Sequence, residues 1–129
     1  MAKPVLRPED MIVRVAQAMT AHDLDELMSF YEADAVFVRP DGTEAVGVEA
    51  IRRDYSEYIE KVISMNAKVT WCHVAGDIAS VRGWYEITFK RRNGSELITT
   101  AEPIETLRKQ SDGSWRYVVD NGSGAKPIK

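Results

Sequence analysis

The apolar positions of this chain change period once, and the change divides it in two. From Met11 to Val62 they recur at helical spacing; from Ala67 onward they alternate, as side chains do along a strand. Met11, Ile12, Val15, Ala16, Ala18 and Met19 make one apolar stripe. Pro8, Glu9 and Asp10 suit a first helical turn, because proline lacks an N–H that would go unpaired there and acids favour that end of the dipole. His22-Asp23 interrupts the stripe, and Asp23 can cap a second short helix with Leu24, Leu27, Met28 and Tyr31 on its face. Next, the apolar run 35–38, Pro40-Asp41-Gly42 and Gly47 predict a hairpin. A third helix places Val48, Ile51, Tyr55, Tyr58, Ile59 and Val62 on one side, with Arg52, Arg53, Glu57 and Glu60 elsewhere.

The second half predicts four strands, Ala67–Ala75, Ile78–Arg91, Glu96–Gln110 and Trp115–Asp120. They are separated by turns at Gly76-Asp77, Asn93-Gly94 and Asp112-Gly113. Strands this long in a small domain bend, and Gly83 is a candidate bend. The expected fold class is α+β: a cone-shaped, curved antiparallel sheet with three N-terminal helices packed on its concave face, leaving room for a cavity. The expected organisation is a single domain over residues 1–129, with 121–129 a flexible tail that lacks apolar periodicity.

Charge and cysteine content narrow the function classes. Seventeen Lys+Arg against 20 Asp+Glu give a net charge of -3, which argues against nucleic acid or an anionic membrane as partner. Lys90-Arg91-Arg92 flanks an Asn-Gly turn and reads as a solvated hairpin tip. One cysteine cannot form an intramolecular disulfide. No zinc ligand set or dinucleotide motif is visible, so no cofactor is expected. No signal-peptide pattern or membrane-length apolar run is visible either, and a cytoplasmic location is expected.

Four stretches carry a resemblance: HDLDELMSFYEADAVFVRPDG, VGVEAIRRDY, VRGWYEIT and TLRKQSDGSWRYVVD. In order and spacing they resemble the nuclear transport factor 2-like superfamily, which has a cystatin-like cone fold, and its ketosteroid-isomerase and SnoaL-like polyketide-cyclase branches. The resemblance implies a cone that takes a small organic ligand. In ketosteroid isomerases a general-base aspartate precedes the hairpin proline; here that place holds Arg39. The first oxyanion tyrosine falls on Val15, the protonated aspartate on Glu105, and the two supporting tyrosines on Tyr31 and Tyr55. Arginine does not accept a proton near neutral pH and valine donates no hydrogen bond, so ketosteroid isomerisation is not expected.

The same resemblance, with strand parity, places Ala101, Pro103, Glu105 and Leu107 inward, together with Arg82, Trp84 and Glu86 on one neighbouring strand and Arg116, Val118 and Asp120 on the other. The candidate site is then Glu105 and Asp120 as catalytic carboxyls, with Tyr31, Arg39, Tyr55, Arg82, Trp84 and Glu86 binding a substrate. Glu105 could be a raised-pKa acid or a carboxylate paired with arginine. The inward charges read equally as a site for a carbonyl, hydroxyl or carboxylate ligand, as a structural ion-pair network, or as a solvated face whose parity is inverted. The opposite set, Val81, Tyr85, Ile87, Phe89, Ile104, Trp115, Tyr117 and Val119, would form an apolar outer face and so a homodimer interface. His73 reads as a sheet histidine, His22 as a local cap, Cys72 as a small hydrophobe and Asp41 as a turn residue. The expected function is ligand binding with acid–base chemistry of isomerase, cyclase or hydrolase type; the alternative is a non-catalytic binding or dimerisation domain working through its sheet surface.

Overall fold

The computed structural model describes residues 3–124. Among these residues the chain forms three α-helices and seven strands in one curved, unclosed sheet. A 3-10 turn at Pro8–Asp10 leads into α1 (Met11–Thr20), whose apolar stripe is buried as the spacing predicts. Asp23 caps α2 (Leu24–Ser29), its Oδ1 accepting the Glu26 N–H at 3.0 Å. His22, at the corner, has a left-handed φ of 56°, and its Nε2 lies 2.6 Å from the Val62 carbonyl, a tie to a distant strand rather than a local cap.

Tyr31 opens β1 (Tyr31–Val38) instead of closing a helix. β2 (Glu44–Val46) returns through a turn in which Asp41 Oδ1 accepts the Thr43 N–H and hydroxyl, the turn role expected of it. α3 (Val48–Ser56) is shorter than its apolar pattern suggests. A 3-10 turn at Ile59–Lys61 follows, and β3 (Val62–Ala75) begins five residues before the expected Ala67; Ile59 and Val62 stay buried, so the helical spacing continues past the helix.

The remaining strands are β4 (Ile78–Lys90), β5 (Glu96–Ala101), β6 (Ile104–Lys109) and β7 (Trp115–Asn121). The expected strand Glu96–Gln110 is two strands, broken at Glu102-Pro103, where proline cannot donate to a ladder. The strand order is β2-β1-β7-β6-β4-β3, with β5 on β4 beyond the end of β6. Every pairing is antiparallel except β1 with β7, which makes the sheet mixed. At Gly83 the bend also admits a helix: a Cβ there would collide with Ile12 Cδ1 of α1 and sit 2.9 Å from the Lys68 carbonyl.

On β4 the expected parity is inverted. Ala79, Val81, Gly83 and Ile87 are buried, and the alternating Arg82, Trp84 and Glu86 belong to the outer face, where Lys68 Nζ lies 5.6 Å from the Trp84 ring. Val81, Tyr85, Ile87, Phe89, Trp115 and Tyr117, expected outside as a dimer surface, pack inward instead; Ile104 and Val119 stay half-buried on the outer side. On β7 the register slips: Leu107 pairs with Tyr117 but Thr106 with Val119, leaving Val118 as a bulge. Tyr117 and Asp120 therefore both face inward, and Arg116, paired with Arg108, does not. The expected flexible tail is also revised in part. Asn121 ends β7, Gly122 and Ser123 line a cavity and Gly124 is buried; residues 125–129 lie outside the described residues.

Candidate functional site

α1, α3 and the concave side of the sheet enclose a cavity of about 490 Å³. Its walls are apolar and aromatic, with Ile12, Val15 and Met19 from α1 facing Tyr85, Ile87 and Phe89 from β4. Two carboxyls lie among them. Glu105 on β6 and Asp120 on β7 are directly opposed across the ladder and are only 4% and 3% exposed. Tyr31 donates to Asp120 Oδ2 at 2.5 Å and so accepts from Tyr55, whose hydroxyl is 3.1 Å away; Tyr117 donates to Glu105 Oε2 at 2.8 Å. Among the described residues no donor reaches Glu105 Oε1 or Asp120 Oδ1.

The two carboxyls stand side by side across the ladder, and a charge on one disfavours a charge on the other. Burial pushes Glu105 well above the usual carboxylate range and the neighbouring Asp120 charge pushes it further, while the bond from Tyr117 draws it back. Burial raises Asp120 too, opposed by the bond from Tyr31 and by the Glu105 carboxyl beside it. Glu105 is raised further than Asp120, so of the two adjacent carboxyls Glu105 is the one that favours the proton. Among the described residues no arginine bonds to Glu105. Burial likewise pushes Tyr31, Tyr55 and Tyr117 far upward and Tyr85 up to about 12, so all four are neutral near neutral pH.

Arg39 sits at the rim. Its Nε and Nη2 donate to Asp54 Oδ2 and Oδ1 at 2.7 and 3.3 Å, and its Nη1 donates to the Glu44 carbonyl at 3.1 Å and Thr43 Oγ1 at 3.3 Å, tying the β1–β2 hairpin to α3. The structure thus gathers Tyr55, Glu105 and Asp120 at the floor, with Tyr31 hydrogen-bonded behind them, and puts Arg39 at the mouth. It does not bring in Arg82, Trp84 or Glu86. On the outer face Arg82 lies over the Trp71 ring at 5.7 Å and His73 against its edge at 4.3 Å. Cys72 is half-buried, and burial pushes its thiol up, away from a reactive thiolate. Among the described residues no group of three or more His, Cys, Asp or Glu is placed to hold a metal.

Sequence reasoning missed Tyr58, Tyr85, Phe37 and Ser123 at the cavity and Tyr117 behind Glu105. Inverted parity hid Tyr85, and the bulge at Val118 hid Tyr117. The Tyr55-to-Tyr58 step at helical spacing was a visible signal for Tyr58, whose ring lies 5.4 Å from that of Tyr55, tilted by 44°.

Over residues 12–122 the chain matches the SnoaL-like domain family and belongs to it. No curated protein matches. Among solved structures, a ketosteroid isomerase-like protein from Erwinia carotovora atroseptica superposes with a TM-score of 0.78 at 23% identity, over 88% of this chain and 89% of the other. A nuclear transport factor 2-like superfamily protein from Salmonella enterica gives 0.76 at 20% identity, over 92% and 89%. A Shewanella denitrificans protein, provisionally named a SnoaL-like polyketide cyclase, gives 0.65 at 20% identity, over 89% and 90%. At these identities the likeness establishes the nuclear transport factor 2-like fold and no activity.

Proposed function

We propose that the chain binds a small, largely apolar organic molecule in the cone, polar end first, and that Glu105 and Asp120 move a proton at that end. The carrying observation is the pair of orphan carboxyl oxygens, Glu105 Oε1 and Asp120 Oδ1, at an apolar cavity. Protonated Glu105 is a donor for a carbonyl or hydroxyl oxygen. Ionised Asp120 is an acceptor held in place by Tyr31, and together they supply the two halves of acid–base catalysis of isomerase, cyclase or hydrolase type without a cofactor. Ketosteroid isomerisation is excluded from the proposal, because Arg39 is committed to Asp54 and Val15 offers the cavity only methyl groups.

Proton exchange tests this reading. Incubated in deuterated buffer with cyclic aryl ketones, the protein should speed deuterium uptake beside the carbonyl, and Asp120→Asn or Glu105→Gln should lower that rate by about 100-fold or more. Ketones that bind but exchange at the buffer rate would remove the catalytic part. Turnover of a 5-ene-3-ketosteroid should stay near background.

A second reading, self-association through the outer sheet face, is favoured by one observation: Trp71 and Ile98 are 43% and 59% exposed there, beside the half-buried Trp84. We propose a homodimer on that surface, acting in the cytoplasm. Sedimentation at micromolar concentration should show a dimer that Trp71→Ala weakens, and a monomer at all concentrations would end this reading.

A further inference from the structure

The charges lining the cavity are lopsided. Arg39 is the one cation among the described lining residues, against the carboxyls of Asp54, Glu57, Glu105 and Asp120. With Glu105 protonated, three carboxylate charges face one guanidinium. That guanidinium is engaged, because each of its nitrogens already bonds to Asp54, Thr43 or Glu44. At the floor the imbalance is sharpest: the Glu105 and Asp120 carboxyls are buried side by side, and among the described residues no arginine, lysine or histidine bonds to them. Phenol donors reach one oxygen of each carboxyl, while the other oxygen of each remains without a protein donor.

We infer that the natural ligand is an organic cation, a small aromatic or alicyclic amine or ammonium compound. Two features beyond the acid count point the same way. The walls present the rings of Phe37, Tyr55, Tyr58, Tyr85 and Phe89, whose faces attract a cation more strongly once water is displaced. In addition, a low-dielectric concavity focuses the field of its carboxylates and raises the local concentration of positively charged ligands. An anionic ligand meets the opposite: it must approach the uncompensated dyad and has no free guanidinium to receive it. Of a carbonyl, a hydroxyl and a carboxylate, the carboxylate is therefore the poorest polar end for this floor. This inference rests on the cavity being the ligand site and adds the charge of what enters it.

Calorimetry with three probes on one ring system decides it: naphthylmethylamine, naphthylmethanol and naphthoic acid, at neutral pH and fixed low ionic strength. The amine should bind at least about ten-fold more tightly than the alcohol, and the acid most weakly. In the Glu105→Gln/Asp120→Asn double variant the amine should fall to within about three-fold of the alcohol, because the buried charge is gone while the shape is kept. An alcohol that equals or beats the amine on the wild type overturns the cation and leaves the cavity reading standing. If the amine preference survives intact in the folded double variant, the dyad is not its source and the inference fails as stated. If none of the three binds, both the cation and the ligand cavity fall. The wild-type ranking alone decides between cation and neutral ligand, whether or not the double variant folds.

Discussion

At the rim of the cavity Asp54 meets Arg39 through two N–H donors, whereas at the floor Asp120 meets a phenol and another carboxyl. The Arg39 and Asp54 side chains are 36% and 25% exposed, so water screens the pair, and little is at stake when it forms or breaks. Asp120 has no such solvent. Neutralising it with a buried guanidinium would have meant desolvating a second ion; accepting from Tyr31 holds the charge with a neutral group and leaves lone pairs free. Similar carboxyls thus serve as a clamp where water is present and keep unpaired oxygens where it is excluded.

The largest effect should come from the floor donors. Tyr31→Phe or Tyr117→Phe removes a hydrogen bond to a buried acid and should cost about 1.5–3 kcal/mol in urea unfolding. A loss near zero for both would mean the floor is wetter than the rim comparison requires. Next in size, Glu105→Gln should stabilise the protein at neutral pH by about 1 kcal/mol or more. Glu105 titrates higher folded than unfolded. The folded state therefore holds an extra proton in the window above the ordinary glutamate value of 4.5, and stability falls as pH climbs through that window. The variant should flatten this slope in melting temperatures taken across pH 4 to 9, and an unchanged slope would place the extra proton elsewhere.

Smaller still, Arg39→Gln should lower the melting temperature less than either phenol variant, and the difference should shrink as salt is added. A salt-independent loss larger than that of Tyr31→Phe would make the rim a buried pair and erase the contrast. The smallest effect belongs to Trp84→Ala. Its ring lies on the outer face, so an apolar probe should bind the variant as it binds the wild type, whereas Tyr55→Ala should weaken that probe by about 1 kcal/mol or more.

Much of the fold was legible because local signals carried it: the stripe of α1, the Asp23 cap and the Pro40-Asp41-Gly42 turn each act within a few residues. The site was legible in part. Glu105, Tyr31 and Tyr55 were found because the turn and helix texts beside them match a family, and Arg39 because it adjoins the hairpin proline. Strand parity was not legible. β4 carries bulky groups on both faces, with Trp84 outside and Tyr85 inside, so its composition does not tell inner from outer. On β7, Tyr117 and Asp120 lie three apart and share a face, which strict alternation forbids and only the bulge permits. Asp120 was thus placed correctly by a parity that misplaced its neighbour.

The extra residue at Val118 acts as a phase setter for the end of the chain. Had the strand run on in the register that pairs Tyr117 with Leu107, Glu105 would stand opposite Val119 and Asp120 would turn to the other side of the sheet; the bulge puts the carboxyls opposite each other, and deleting Val118 would keep them so by bringing Val119 next to Tyr117. When the sequence is lined up with relatives that differ in length between Trp115 and Asp120, the column holding this aspartate has no fixed meaning. The residue to compare is the one that follows the slip in register, whatever its letter.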